Sequence, residues 1–555
     1  MNKKVCSFPI LFALLALLIG TCAVVFPASA QAAPTSTGSI TVSGTVASSY
    51  DAYQIFSANV VDGDSDAKIA TDLAWASDAV RDAALSVLHS AGMPNSQITA
   101  QEAAEWLNID SHLTSALSAQ LARSLQSSDA VSVALNAGTT AELSCGYWLI
   151  VADDDAIAQG EAGTAPIMAL VGGSAVAVKP KAATPKVAKH VLEDSTAAWQ
   201  KAADATVADD LYWRLSATVP AGLTAYDTYT VQFVDTMSAG LDPSKVAASM
   251  RVYVAAGADG GFDAVSAGKD GRVGTEPAKG WTDITAQCAT KVAADGTFTV
   301  RTGDLIAALG GADAFTAGAR VVAVYNAPLN SACNHGIAKG NPNEVYLRYP
   351  RSPFADQSGD AGFTRTPSDD ACAYTWDLAL TKRGSDGDKP LAGAVLSIAD
   401  DRGRTLAADG TWDAEGKATV TTGEDGRVTV SGVDSGKLEV RELKAPKGYT
   451  AFEGARSVTV KAEGLDVDQV AAAKPKLTVT AESPLRADSA DGSTGSLEAS
   501  LINTPTGTPP SITTGGFMPS TGDMAMYAAA AAAVAGAALI VVALLVKRGG
   551  GSHKE

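Results

Sequence analysis

Two apolar runs bracket the chain. The first extends from Phe8 to Phe26 behind Lys3-Lys4, and the second from Met524 to Val546 ahead of Lys547-Arg548. Between them hydrophobic and polar positions mostly alternate with a period of two, the pattern of half-buried strands. Gly38-Ser-Ile-Thr-Val-Ser-Gly-Thr-Val predicts one strand, Tyr53-Gln-Ile-Phe56 resumes one, and Gly146-Tyr-Trp-Leu-Ile-Val151 gives another. From about 69 to 127 the period changes to helical. Thr99-x-x-Glu102 reads as a capping box, and Leu113, Leu117, Leu121 and Leu125 recur every fourth residue as one apolar stripe. Such a stripe is ordinarily a core face.

Past the prolines of Lys179-Pro180-Lys181-Ala-Ala-Thr-Pro185, which break any regular element, strand patterns return. They cover Leu211–Ala217, Tyr229–Val234, Met250–Ala255, Phe298–Val300, Arg320–Tyr325 and Glu344–Tyr349. A third series follows at Tyr374–Thr381, Val395–Ile398, Val428–Val433 and Lys437–Arg441. Many short strands separated by Gly and Asp turns predict sandwiches. The fold class is therefore mainly β: tandem immunoglobulin-like sandwiches, the first with a helical insertion, and one C-terminal transmembrane helix.

The ends set the compartment. Lys3-Lys4, the apolar run and Ala28-Ser29-Ala30 form a secretory signal peptide with its cleavage site. Ala30-Gln31-Ala32 offers a second site. The run 524–546 is long enough, at about 1.5 Å per residue, to cross a hydrocarbon core of about 30 Å, and its basic flank stays inside. The expected layout is a signal peptide at 1–30 and sandwiches at 31–180, 181–370 and 371–506. A linker with a sorting motif follows at 507–523, then a membrane span at 524–546 and a basic tail at 547–555.

Composition removes several function classes. The net charge of −18, with few basic clusters, disfavours nucleic acid. Aromatics at 6% suit secreted sandwiches better than a large enzyme core. The five histidines are scattered without an H-E-x-x-H, and neither a Gly-x-Ser-x-Gly elbow nor a phosphate loop occurs. Asp62-Gly-Asp-Ser-Asp66 lacks the Gly and Glu of a calcium loop and reads as an acidic turn. No cofactor and no metal are expected. Four cysteines follow the leader: Cys145, Cys288, Cys333 and Cys372. Export permits disulfides, with Cys288–Cys333 or Cys333–Cys372 as candidate pairs.

Met518-Pro519-Ser520-Thr521-Gly522, directly before the apolar run, resembles the cell-wall sorting signal of Gram-positive surface proteins, with Met in place of the usual Leu. Leu438-Glu-Val-Arg-Glu442-Leu-Lys-Ala-Pro-Lys-Gly-Tyr449 resembles the E-box of Gram-positive sortase-assembled pilins. Lys382 in Asp377-Leu-Ala-Leu-Thr-Lys382 and Asn503 in Leu501-Ile-Asn503-Thr-Pro match the first and last strands of a Cna B-type domain. The middle segment resembles the isopeptide-forming fimbrial domain. It carries Thr184-Pro-Lys-Val-Ala-Lys189-His-Val, Phe233-Val-Asp235-Thr-Met-Ser-Ala-Gly-Leu241 and Gly340-Asn-Pro-Asn-Glu-Val-Tyr-Leu347.

The resemblance implies a structural fimbrial subunit rather than an enzyme, stabilised by Lys–Asn isopeptide bonds that form with release of ammonia. The chemistry needs these residue types. Burial disfavours the charged lysine, a buried carboxyl group shuttles protons, and the fold supplies proximity. In the third domain Lys382 is the expected nucleophile, Glu442 the catalytic acid and Asn503 the acceptor. In the middle domain Lys189 and Asp235 match nucleophile and acid. There the family places its acceptor just after the last strand's Tyr, but Tyr349-Pro350-Arg351-Ser352-Pro353 has no Asn. Asn341 and Asn343 fall several residues early, and Asp356 lies further on. The middle domain is thus expected to lack the bond or to close it at an unusual site. The first domain has no Lys from Ala32 to Asp66, and no bond is expected there.

Val176-Ala-Val-Lys-Pro-Lys181 resembles the pilin motif, with Lys179 in place of its Tyr. The resemblance makes Lys181 the amine that attacks a sortase thioester at Thr521 of the next subunit, with Lys179 and Lys186 as alternatives. The implied partners are sortase, further pilin subunits in a head-to-tail polymer and the peptidoglycan precursor that anchors it at the cell surface. A wall-anchored ancillary adhesin that uses the same domains without polymerising is the alternative.

Overall fold

A computed structural model describes residues 36–507, apart from 45, 65–66, 110, 181–183 and 222–223. The signal peptide, Lys181, the motif from Met518 to Gly522 and the run 524–546 lie outside the described residues. Among the described residues no helix is long and apolar enough to cross a membrane.

The first unit packs two sheets. One is three-stranded, with Thr37–Val42 between Thr140–Ser144 and Val176–Val178. The other is built on the long strand Ser49–Asp62, which pairs with Lys68–Trp75, Ser132–Asn136 and Gly146–Ala152. Ile40, Val42, Tyr50, Trp148 and Ile150 fill the space between the sheets. Three helices, Asp78–Ser90, Ala100–Leu107 and Ser115–Gln126, cover the outer face against Ile55, Phe56 and Leu149. The helical reading of 69–127 needs two corrections. Its first residues form the strand Lys68–Trp75 rather than a helix. The apolar stripe begins at Leu117, because Thr114 caps the third helix and leaves Leu113 outside it and exposed. The Thr99–Glu102 capping box forms in full.

The middle unit is a sandwich of a six-stranded sheet on a seven-stranded one. The first centres on Lys186–Glu193, Tyr212–Val219, Ala319–Asn326 and Arg251–Ala256. The second centres on Asp369–Tyr374, Asn341–Pro350, Gln232–Met237 and Thr297–Arg301. Inward positions alternate along each strand, as in Val321, Ala323 and Tyr325, and meet around Trp213, whose Nε1 donates to the Ala327 carbonyl at 3.0 Å.

The C-terminal unit repeats the plan. Trp376–Gly384 lies between Arg427–Val433 and Ser496–Pro505, facing a sheet of Val395–Ala399, Gly436–Lys444, Ala455–Glu463 and Lys476–Ala481. Its first and last long strands run parallel, with Lys382 opposite Leu501 and Gly384 opposite Asn503. All four described cysteines are free thiols.

Carboxylates crowd the junction of the middle and C-terminal units. Asp204 accepts from Trp376 Nε1 at 2.6 Å and from Ser435 N at 3.0 Å. Glu193 receives the Asp204 amide at 3.2 Å, and Arg402 lies 3.6 Å from Asp194. Burial and the Asp204 charge push the Glu193 carboxyl up to about 7, and burial also raises Asp194 and Asp434. The folded junction therefore holds protons that the unfolded chain releases near the ordinary carboxylate value. It contributes stability below that value and loses it as pH rises through about 7. Melting followed by circular dichroism should show a lower melting temperature at about pH 8 than at about pH 5, a loss on the order of 2 kcal/mol. Glu193→Gln should flatten that dependence, and an unchanged slope would remove this account.

Candidate functional site

Each of the two larger sandwiches buries one lysine where its strand pattern calls for a hydrophobic residue. In the C-terminal unit the inward row of Trp376–Gly384 reads Trp376, Leu378, Leu380, Lys382. The facing row of Gly436–Lys444 reads Leu438, Val440, Glu442, and that of Ser496–Pro505 ends Leu497, Ala499, Leu501, Asn503. Three polar side chains thus complete three apolar rows at one end of the sandwich. Strand register, with side chains alternating between faces, brings them together.

Their contacts close on themselves. Lys382 Nζ meets Asn503 Oδ1 and lies 3.2 Å from Glu442 Oε1, both ionic side chains being fully buried. Asn503 Nδ2 donates to Glu442 Oε1 at 2.9 Å and Oε2 at 3.0 Å. The Phe452 amide adds a donor to Oε2 at 3.1 Å. Burial pulls the Lys382 amine down to about 8, against the opposing charge of Glu442. A lysine so placed is far closer to its neutral, nucleophilic form at physiological pH than an exposed one.

The middle unit builds a second cluster from both of its sheets. Lys189 lies in the row Val187, Lys189, Val191 of one sheet, beside Tyr325 of the same sheet. Asp235 follows Phe233 in the other. Lys189 Nζ contacts Asp235 Oδ2 and donates to the Tyr325 hydroxyl at 2.9 Å. That hydroxyl donates in turn to Asp235 Oδ2 at 3.1 Å. Burial lowers the lysine to about 8 and raises the Asp235 carboxyl to about 6. The Lys189 backbone is also held. Its N–H donates to Asp369 Oδ2 at 2.7 Å, and its carbonyl accepts from Lys201 Nζ at 2.9 Å.

The structure places Asn343 in this cluster. Its Nδ2 donates to the Tyr325 hydroxyl at 2.9 Å, while its own Oδ1 and Asp235 Oδ1 are buried without a hydrogen-bond partner. The position judged several residues early is inside the strand, which begins at Asn341 and faces Met237 with Asn343. Counting back in twos from Tyr349 through Leu347 and Val345 reaches Asn343 on the core face, and that signal was available in the sequence. Tyr325 was legible in the same way, two residues past Ala323. Asn341 is spoken for, bonded to the Asn334 and Ala373 backbone. Asp356 is exposed and caps its own turn through Ser358. The Tyr349 hydroxyl donates to the Gly160 carbonyl of the first unit at 2.7 Å.

Lys181 and the motif Met518, Pro519, Ser520, Thr521, Gly522 lie outside the described residues. Lys179 and Lys186, on either side of residues 181–183, are exposed.

Residues 377–474 match the model of the SpaA prealbumin-like fold domain. The trypsin-resistant surface T6 protein of Streptococcus pyogenes serotype M6 is 31% identical over 134 residues, 23% of this chain and 23% of that protein. The match thus spans less than a quarter of the curated relative's length. Among solved structures, the T6 backbone pilin of the same serotype aligns with a TM-score of 0.46 and 17% identity, covering 85% of this chain and 98% of that one. The full-length major pilin SpaD of Corynebacterium diphtheriae aligns at 0.40 and 15%, covering 85% and 98%. The matched segment includes Lys382 and Glu442 and the facing strands that carry them.

Proposed function

We propose that this chain is a structural pilus subunit, exported and joined covalently into a surface fibre, whose two larger sandwiches cross-link themselves. The observation that carries the reading is the closed contact set of Lys382, Glu442 and Asn503. The local likeness to a surface protein and to a SpaA-type domain supports it.

In the proposed reaction the neutral Lys382 amine attacks Asn503 Cγ. Glu442 takes the proton that Nζ loses and delivers it to Nδ2, which leaves as ammonia. One C–N bond forms, one breaks, and nothing is oxidised. Glu442 faces both nitrogens, the placement that a proton shuttle requires. In the middle sandwich Lys189 plays the same part, with Asp235 as the acid. Asn343 is the acceptor there, in place of an absent bond. A proton on Asp235 Oδ1 would supply a donor to a cluster in which Asn343 Oδ1 has none. The pKa shifts favour this exchange, since a raised carboxyl and a lowered amine together approach the neutral pair.

Assembly through Lys181 and Thr521 completes the reading. A sortase would form a thioester at Thr521, and Lys181 of the next subunit would resolve it. That contact is heterologous and propagates into a fibre. The last subunit would pass to a peptidoglycan precursor.

Intact-mass measurement of the secreted protein should show two ammonia losses. Lys382→Ala should remove one and Asn343→Ala the other, while Asp356→Ala should remove neither. A deficit unchanged by Asn343→Ala would sink the middle-domain assignment. The Lys382–Asn503 bond closes a loop spanning 121 positions. By chain-entropy reasoning its loss should cost about 5 kcal/mol, seen as a lower melting temperature for Asn503→Ala. On denaturing gels of wall extracts, a ladder abolished by Lys181→Ala is the expected result, and a single species in the unsubstituted strain would identify an ancillary adhesin instead.

A further inference from the structure

Outside both lysine clusters, one nucleophilic side chain sits in a catalytic-type setting. Cys333 follows the turn Asn330–Cys333, and its Sγ lies 3.6 Å from His335 Nε2. The other ring nitrogen, Nδ1, lies 2.8 Å from Asp377 Oδ1, an ion-pair contact that lacks hydrogen-bond geometry. Asp377 is itself oriented by the Ser431 hydroxyl at 2.6 Å and the Gly432 amide at 3.1 Å. Thiol, imidazole and carboxylate are thus arrayed in the order that activates a cysteine nucleophile.

The charges agree with that order. His335 is pushed up to about 10, chiefly by Asp377 and then by Cys333, and Asp377 is held low. Burial pushes the Cys288 and Cys372 thiols up to about 11. Cys333 itself is only 9% exposed, at the margin of the middle core. Ser331 and Ala332 before Cys333 are exposed, and the His335 side chain is a quarter exposed.

We propose that Cys333 is a reactive thiol, set beside His335 and Asp377 so that the imidazole can take its proton, and that it takes up low-molecular-weight disulfides as a mixed disulfide. The thiol proton passes to His335 Nε2. The thiolate attacks one sulfur of an external disulfide R–S–S–R. One S–S bond forms, the original one breaks, and R–S⁻ leaves and is protonated, with no net change in oxidation. The site also bridges two units, since Cys333 and His335 belong to a middle-unit loop and Asp377 to the first strand of the C-terminal one. The same loop is tied across that boundary by Gly336 N to Thr375 O at 3.1 Å and Ile337 N to Gly492 O at 3.1 Å. An adduct on Cys333 would displace His335 from Asp377 and weaken those ties.

The test treats the purified full-length chain with an aromatic disulfide at neutral pH and locates the adduct by peptide mapping. Cys333 should react on the order of tenfold faster than Cys288. His335→Gln should abolish that advantage, and Asp377→Asn should reduce it. Circular dichroism checks that each variant is folded, and if His335→Gln is not, Asp377→Asn decides. Equal rates at Cys333 and Cys288, or an advantage left undiminished in a folded variant, would overturn the proposal.

Discussion

A lysine ammonium taken out of water is the constraint around which both large sandwiches are organised. An isolated buried charge is too costly to keep, so it must be paired, hydrogen-bonded or neutralised. Lys382 meets a glutamate and an amide, and Lys189 meets an aspartate, a tyrosine hydroxyl and, through it, an amide. The effective cost remains visible in the lysines, both drawn down to about 8. Such a group contributes little to stability while it remains ionic. Under the proposed cross-link, conversion to a neutral amide would remove the buried charge and add a covalent tie.

The two clusters are built differently. In the C-terminal unit lysine and amide sit on adjacent parallel strands, and the long Glu442 side chain crosses from the opposite sheet to reach both. In the middle unit lysine and amide come from opposite sheets. The shorter aspartate leaves a gap that the Tyr325 hydroxyl fills, touching Lys189, Asp235 and Asn343 at once. A link in the first case would staple neighbouring strands, and in the second it would staple sheet to sheet. Either would carry a pull along the chain without relying on hydrogen bonds alone.

The units are also continuous with one another. Ala202–Asp204 pairs in parallel with Asp369–Tyr374 just before the C-terminal unit begins, and Asp204 then receives the Trp376 indole. Carboxylates, the Cys333 loop and its histidine all gather at this seam. The seam therefore has chemistry distinct from the sandwich cores on either side, being polar, titratable and within reach of solvent.

The sequence by itself determined a great deal. Period-two alternation marked many of the strands, because a sheet with one buried face must alternate, but Ala455–Glu463, Lys476–Ala481 and Leu485–Asp491 were not among them. The Thr99 capping box and the Leu117, Leu121, Leu125 stripe marked helices, because caps and apolar faces are local. Lys382, Glu442 and Asn503 could be named in advance because each stands in a recognisable motif. Tertiary structure decided the rest. Lys68–Trp75 became a strand because Ser49–Asp62 offers it an edge to pair with, overriding its local pattern. Asn343 joined Lys189 because the strand starts earlier than its motif suggests, and the register against Gln232–Met237 sets it opposite Met237, two residues from Asp235. Tyr325, Asp377 and His335 owe their roles to residues distant along the chain. No local pattern encodes such a meeting, since it depends on how complete sheets stack.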